Sequence, residues 1–441
     1  MWIVACLAVV AVCCAGIGGY WLVSRLTEGP ADGPNSAETT SAADAIRLTI
    51  AILTVFGAVL AGVYAYRKQR IAEGEAHRSD ATQFAERYTT AAGQLGHDTP
   101  AVRLAGVYAM ARLADDWEDQ RQVCIDVLCA YLRMPYEWDP ESERYRKGER
   151  EVRHTIIRVI RDHLQGRQER TSWSAYALDL TRATFDGGDF SGSHFHGSVS
   201  FAGAEFIGDS FIFDEARFSD GTVVFRGARF SSCTVRFDKA RFDGGTVNFD
   251  EARFSSGTVA LRGALFDPSG TITFQDARFS GGTVALDEAE FNGGTVSFER
   301  ARFTDSTVTI NHARCTAGSL AFHRAQFKGG TVSFDHAQFV GGVVALDDTE
   351  FTDSTVSFYA ARFADGTITL DYGQFTGSTV TFHHARFGGG RVTLDRARFT
   401  GGMLSFVRAQ VTEGVVACEE AQFSGTSVRW GRLRPPEGWR A

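Results

Sequence analysis

His194 and His196 lie two apart in a stretch of strand-like alternation, so both rings project from one face, as two ligands of a zinc ion would. A tetrahedral site needs further donors, and no Cys, Asp or Glu stands at a ligating spacing to supply them. A solvated surface pair is the expectation. His312, His336 and His384 share one position of a recurring pattern and should form an exposed ladder. The cysteines, at 6, 13, 14, 124, 129, 233, 315 and 418, include no Cys-x-x-Cys pair, which suits reduced thiols rather than a disulfide framework. Phosphate loops of the Gly-x-x-x-x-Gly-Lys type, Gly-x-Ser-x-Gly elbows and His-Glu-x-x-His helices are all missing. The sequence therefore assigns no catalytic, no cofactor-binding and no metal-ligating residue, and the chain reads as a protein without enzymatic activity.

The positions that do recur belong to a frame. From Phe206 to Phe423 a twelve-residue phrase repeats, as in Ala252-Arg253-Phe254-Ser255-Ser256-Gly257-Thr258-Val259-Ala260-Leu261-Arg262-Gly263. Its marker aromatic falls at Phe206, Phe218, Phe230, Phe242, Phe254 and Phe266, slips by one at Asp267-Pro268-Ser269-Gly270, and resumes at Phe279. Cys315 and Val411 are the apolar exceptions. A short fixed period means a solenoid, whose units bury apolar surface only by stacking on their neighbours. A second large apolar residue follows each marker by seven, and a small or β-branched residue stands two before each large one. Strand alternation puts both inside and the residue between them outside.

A longer period sets the coil. The second position alternates as Phe249, Leu261, Phe274, Leu286, Phe298, Ile310, and again as Phe334, Leu346, Phe358, Leu370. Two consecutive twelves are thus not equivalent, and the physical turn should hold about 24 residues with four flat faces. Separate stacks of Phe and of Leu on two differently shaped faces are predicted. At the strand spacing of ~4.8 Å, about ten turns make a rod roughly 50 Å long.

Charge follows the columns. Asp214, Asp238, Asp250, Asp287, Asp335, Asp347, Asp371 and Asp395 come directly after an inward Phe or Leu, and Arg217, Arg241, Arg253, Arg302 and Arg386 directly before a marker. Like charges stacked one strand apart repel, so columns of opposite sign should interleave.

These residues resemble the bacterial pentapeptide-repeat family, whose pattern is Ala-(Asp/Asn)-Leu-x-x. The match is closest upstream, where Leu180, Phe185, Phe190 and Phe195 are spaced by fives and Ala183-Thr184-Phe185-Asp186-Gly187 has the family form. The inserted Gly-Thr in each twelve, and Arg where the family favours Asp or Asn, make this a variant five-plus-seven repeat. The resemblance implies a mainly β fold, a right-handed quadrilateral β-helix. It is nearly silent on function, because one fold hosts many.

Ahead of the array the chain changes character twice. Residues 1–26 contain an apolar stretch of membrane-spanning length (Trp2 to Val23) with no Lys or Arg before Arg25, unlike a signal peptide. Residues 27–44 form a polar linker. Residues 45–70 hold a second apolar run closed by Arg67, Lys68 and Arg70, a basic stop that marks the cytoplasmic side. The expectation is two transmembrane helices in a hairpin, with the linker outside. Ala15-x-x-x-Gly19 and Ala58-x-x-x-Gly62 offer it a small-residue seam. Residues 71–172 read as a cytoplasmic α-helical domain, opening at a capping box of Asp80 and Gln83 and similar over one or two hairpins to a HEAT-like repeat. Its first duty is to cap the solenoid, since an open β-helix end exposes apolar side chains and strand edges. The solenoid spans 173–430, and the tail 431–441 (Leu433, Pro435, Pro436, Trp439) could fold over the far mouth.

A net charge of −8 over 441 residues does not advertise nucleic-acid binding. The sequence points to a multi-pass protein of the bacterial cytoplasmic membrane, with its C-terminal domains in the cytoplasm and a repetitive surface for a protein partner. No cofactor is implied. The alternative, implied by the family resemblance, is a DNA mimic that binds type II topoisomerases. Such members are soluble, strongly acidic and dimeric, and the scattered Arg residues make this chain a poor copy of a polyphosphate surface.

Overall fold

The structure, a computed structural model, describes residues 16–21, 24–25, 42–166 and 169–432. They fall into two compact units, Met1–Glu86 and Arg87–Ala441. In the first, 16–21 is helical and helix α1 (Ala42–Leu95) begins. Helix α1 runs for 54 residues across the expected boundary at 70/71 without a break at Asp80, so the Asp80–Gln83 pair does not start a helix. The intervening residues are mostly good helix formers, and a lone Gly74 costs only about 1 kcal/mol. Among the described residues one helix is long and apolar enough to cross a membrane, over Thr49–Leu95, with a window of mean hydropathy 1.9 that is wholly unburied. The first apolar stretch and the linker lie largely outside the described residues. A Cβ on Gly16 would stand 3.5 Å from Leu53, and among the described residues Gly19 and Gly62 have no neighbour within 4 Å; Ala15 of the expected small-residue seam lies outside the described residues.

In the second unit, α2 (Pro100–Asp116), α3 (Arg121–Arg133) and α4 (Glu149–Leu164) pack around Val107, Met110, Leu128, Leu132, Ile156 and Ile160, all fully buried. Periodicity finds these residues, but it does not find the buried Arg103. The Arg103 guanidinium donates to the carbonyls of His97 and Asp98 (3.0 and 2.7 Å) and pairs with Glu149 at 3.3 Å. Glu149 also accepts from Tyr131 Oη at 3.1 Å, so the buried charge is bonded on both sides.

The solenoid is built from four parallel ladders in which residues pair with those one coil later. Phe230 pairs with Phe254, Val235 with Val259, Phe242 with Phe266 and Thr246 with Thr271. The coil is therefore 24 residues, and 25 where the Pro268 corner holds one more. The first coils are shorter, because Leu178 pairs with Val199 and His194 with Arg217. The strict fives upstream thus widen into the twelve-residue phrase within the first turns. Two ladders are eleven strands each. The other two merge into a nineteen-stranded sheet, because Glu290–Ser297 and Arg314–Ala321 run straight through a corner. Small residues at Gly293-Gly294 and Ala317-Gly318 leave the backbone free to extend there.

The interior is a set of ring stacks whose pitch the backbone dictates. Phe206, Phe230, Phe254, Phe279, Phe303 and Phe327 follow one another at 4.5, 4.6, 4.7, 4.7 and 4.4 Å between centroids. The Phe–Leu alternation has a different cause from the one expected. Phe249, Phe274, Phe298 and Phe322 form one stack. The Phe322 N–H then bonds the carbonyl of Ala345, which puts Leu346 next in that same column. Ile310 likewise continues into Phe334, which stacks on Phe358 at 4.7 Å. The two columns exchange chemistry between Phe322 and Phe334, so neither face is intrinsically shaped for a ring. Upstream, members of the two columns touch across the axis edge-to-face, as Phe213 and Phe225 do at 5.9 Å. What each later coil keeps is one ring opposite one aliphatic chain, a constant volume across the axis.

One corner of each half-turn uses a left-handed residue that is seldom glycine. In Phe213-Asp214-Glu215-Ala216 the N–H of Ala216 bonds the carbonyl of Phe213 at 3.1 Å, and Glu215 has φ 58°. Lys239, Glu251, Glu288, Arg300 and Tyr372 repeat it. At the far end Trp430 stacks on Phe406 at 5.2 Å, while Val411 and Val415 are 39% and 49% exposed. The tail expected to cover this mouth lies outside the described residues beyond 432.

Candidate interaction surface

The helices close the first coil with polar side chains placed for its edge. Gln122 Nε2 donates to the Ala177 carbonyl at 2.9 Å and Gln122 Oε1 accepts from the Ala177 N–H at 3.1 Å, mimicking a strand partner. Arg153, buried, bridges the carbonyls of Leu132 (2.5 Å) and Thr184 (2.9 Å). Asp186 takes bonds from Tyr136 Oη (2.7 Å), Arg150 Nε (2.8 Å) and His154 Nε2 (2.8 Å). Burial works against its charge, but the His154 and Tyr136 bonds outweigh this and hold its pKa at about 2. His163 stacks on the buried Trp173 at 4.1 Å. Burial opposes its charge too, yet Asp115 (3.2 Å) and the Val159 carbonyl keep its pKa above the ordinary value.

Along the solenoid the aspartate columns have a structural task. Asp287 Oδ1 accepts the backbone N–H of Asn311 at 2.9 Å, Asp347 that of Asp371 at 3.1 Å, and Asp371 that of Asp395 at 2.8 Å. Each carboxylate thus clamps the next coil. Its second oxygen often takes a hydroxyl, as Asp347 Oδ2 does from Thr369 at 2.8 Å. Burial raises the Asp347 pKa despite these bonds. Asn311 replaces Asp in the column and does the same work for Asp335 at 3.0 Å, so an acceptor oxygen is needed rather than a charge.

Opposite charges interleave over part of the length only. Arg226 reaches Glu251 (2.6 Å), Arg217 reaches Asp243 (3.2 Å), Arg300 reaches Asp276 (2.9 Å) and Arg396 reaches Glu420 (2.8 Å). Within a column like charges stack directly. Arg253, Arg278 and Arg302 are in register, and so are Arg362 and Arg386.

The histidine column opens onto a groove of about 430 Å³ on the Arg362–Arg386 side. The His312 and His336 rings stack at 4.9 Å, and Tyr359 meets His336 and His384 edge-on at 5.5 and 5.4 Å. Gln338, Arg362, Arg386, Arg408 and Gln410 complete the lining. His194 and His196 do not join it. His194 lies in the first ladder, where burial and Arg217 hold its pKa down. Among the described residues no group of three or more His, Cys, Asp or Glu side chains is gathered that could hold a metal ion. The thiols are packing groups: burial pushes Cys124 and Cys315 up to about 11 and Cys129 and Cys233 up to about 12.

Four stacked ladders, a ring-filled interior and recurrent surface columns define a quadrilateral β-solenoid repeat protein. Residues 180–223 match the family model described as pentapeptide repeats (9 copies). Over that stretch the chain is similar to the pentapeptide-repeat family. Among solved structures it is similar to a trypsin-treated variant of QnrB1, described as a plasmid-mediated fluoroquinolone resistance protein. The two share 17% identity over 52% of this chain and 90% of that one, with a TM-score of 0.19. No curated protein matches.

Proposed function

We propose that this protein is a membrane-tethered scaffold whose solenoid presents a repetitive surface to a protein partner, without catalysis. One observation carries the reading. The interior is filled by packed rings and the aspartate columns are engaged in joining coils, so the positions free to vary are those on the outer faces. The apolar, unburied window within helix Thr49–Leu95 supports the tether, and Arg67, Lys68 and Arg70 support a cytoplasmic solenoid. The bacterial cytoplasmic membrane, crossed twice with everything after Arg70 inside, is the proposed location; the first crossing rests on the sequence alone.

The topoisomerase-binding DNA mimic is the second reading. It needs a continuous acidic stripe, and the in-register arginine runs at 253–302 and 362–386 work against one. The test is a reporter fused after Ala441, combined with cross-linked pull-down from intact membranes. A cytoplasmic-side reporter should be active, and a protein should be cross-linked to the outer solenoid faces. Activity of a periplasmic-type reporter, or capture of a topoisomerase by a soluble fraction, would overturn the tethered scaffold.

A further inference from the structure

We propose that the groove beside His312, His336 and His384 receives a short acidic polypeptide segment of the partner, with Arg362 and Arg386 taking its carboxylates. This rests on the scaffold reading. The charges in the groove have been left without an internal use. Upstream on the same ladder, Arg217 and Arg241 are each neutralised by an aspartate 26 residues on, Asp243 and Asp267, both at 3.2 Å. The positions equally far beyond Arg362 and Arg386 hold Gly388 and Thr412. Neither arginine has an ion pair or a side-chain hydrogen bond among the described residues, and both are exposed. The neighbouring corner column loses its acids as well, passing from Glu288 to His312, His336, Ala360, His384 and Arg408. Asp335, next to His336 in the chain, is taken up by Ser357 Oγ at 2.5 Å and the Tyr359 N–H at 3.0 Å.

Two guanidinium groups held one strand spacing apart, ~4.8 Å, repel each other and return nothing to the fold, so a ligand of opposite sign gives them a use. Their planar forks match carboxylates, and the Tyr359 and His384 rings, set edge-on to one another, give apolar surface for the stem of such a side chain. Length favours a polypeptide over nucleic acid. From His312 to Arg408 is four coil steps, about 19 Å, the span of roughly six extended residues. Below that, Glu288 and Glu290 replace His312 and Arg314 in their columns, so a longer polyanion would leave the groove onto like charge.

The test uses the full chain in detergent micelles and fluorescence anisotropy of a labelled octaglutamate peptide. Octaglutamate should bind, release as salt rises, and lose about tenfold in affinity in an Arg362→Ser/Arg386→Ser variant whose thermal melt is unchanged. An Arg217→Ser/Arg241→Ser variant should bind within about twofold of the parent, because those arginines already have partners. Equal binding by the groove variant, or no binding by the parent, would overturn the proposal. So would tighter binding of a labelled oligothymidylate through the same two arginines, which would make the groove a nucleic-acid site. Cross-links to a protein on another face, with octaglutamate unbound, would remove the groove and leave the scaffold standing. Membrane cross-linking that finds no protein on any face would remove the scaffold itself.

Discussion

Asp186 carries three donors from the helical cap into the first coil, so the joint between cap and solenoid should respond to acid. Its pKa lies near 2 against an ordinary 3.8, which means the folded state binds its proton less readily than the unfolded chain. The stabilisation is then present above the ordinary value and lost as the pH falls towards about 2, and amounts to roughly 2 kcal/mol after allowance for partial exposure. His163 has the opposite sign. Its raised pKa gives stability that is full below the ordinary value of 6.5 and lost as the pH rises through the raised one. Urea melts followed by near-ultraviolet circular dichroism of Trp173 should show both slopes. Asp186→Asn should reduce the acid slope, the remainder belonging to Asp179 and Asp189, whose pKa values are also held down, and His163→Gln should affect the alkaline slope alone. If both slopes are unchanged in both variants, the joint is not held by these charges. Neither residue is legible as a joint in the sequence. Asp186 sits in a repeat position like many others, and only the folded cap brings Tyr136, Arg150 and His154 to it. Arg103 and Arg153 escape a sequence reading for a related reason, since a charged residue on an apolar helix face reads as solvated until its carbonyl partners are known.

At the scale of the element, what can be read is whatever repeats. The marker phenylalanines announce their own alternation, and Phe327 is 2% exposed while Gln326 beside it points outward and meets Glu350 at 3.1 Å. Replacing Phe327 by Ala should cost ~3–5 kcal/mol, because the stacks on Phe303 and Phe351 close over a void on both sides. Gln326→Ala should cost less than about 1 kcal/mol, the worth of one exposed hydrogen bond. Chemical denaturation of the two variants checks this, and equal losses would reverse the in–out assignment. Two element-level expectations fail, both because a local signal competes with a longer one. Asp80 and Gln83 look like a helix start, yet nothing around them stops the helix already in progress. The Phe–Leu alternation suggests two kinds of face only if Phe322, which breaks its phase, is left out. With Phe322 in place, constancy of volume across the axis accounts for the whole series. The groove is half legible: its histidines form a visible column, but the missing acids beyond Arg362 and Arg386 acquire meaning only once the coil register is known.

For the molecule, a 24-residue coil means that stability is a sum of like interfaces and that the array can be shortened only in whole turns. Removing residues 233–256 takes out one coil. Phe225 then meets Phe274, Phe218 meets Phe266, and Phe230 meets Phe279, so each ring stack closes on another phenylalanine. The opposite column passes from Phe213 to Leu261, a junction it already makes one coil later between Phe237 and Leu261. Such a variant should fold, keep a cooperative thermal transition, and lose one coil's interface without disturbing its neighbours. Removing residues 239–256 instead takes out three-quarters of a turn. Corner residues would then fall where strands must pair, and the side chains facing inward would change along everything downstream. That variant should lose cooperative melting and expose apolar surface to a dye such as ANS. The comparison separates geometry from length, because the larger deletion is predicted to do less harm than the smaller one. A result in the reverse order would mean that the downstream coils do not depend on the register of those before them, and the solenoid would have to be held together by something other than stacked, in-phase turns.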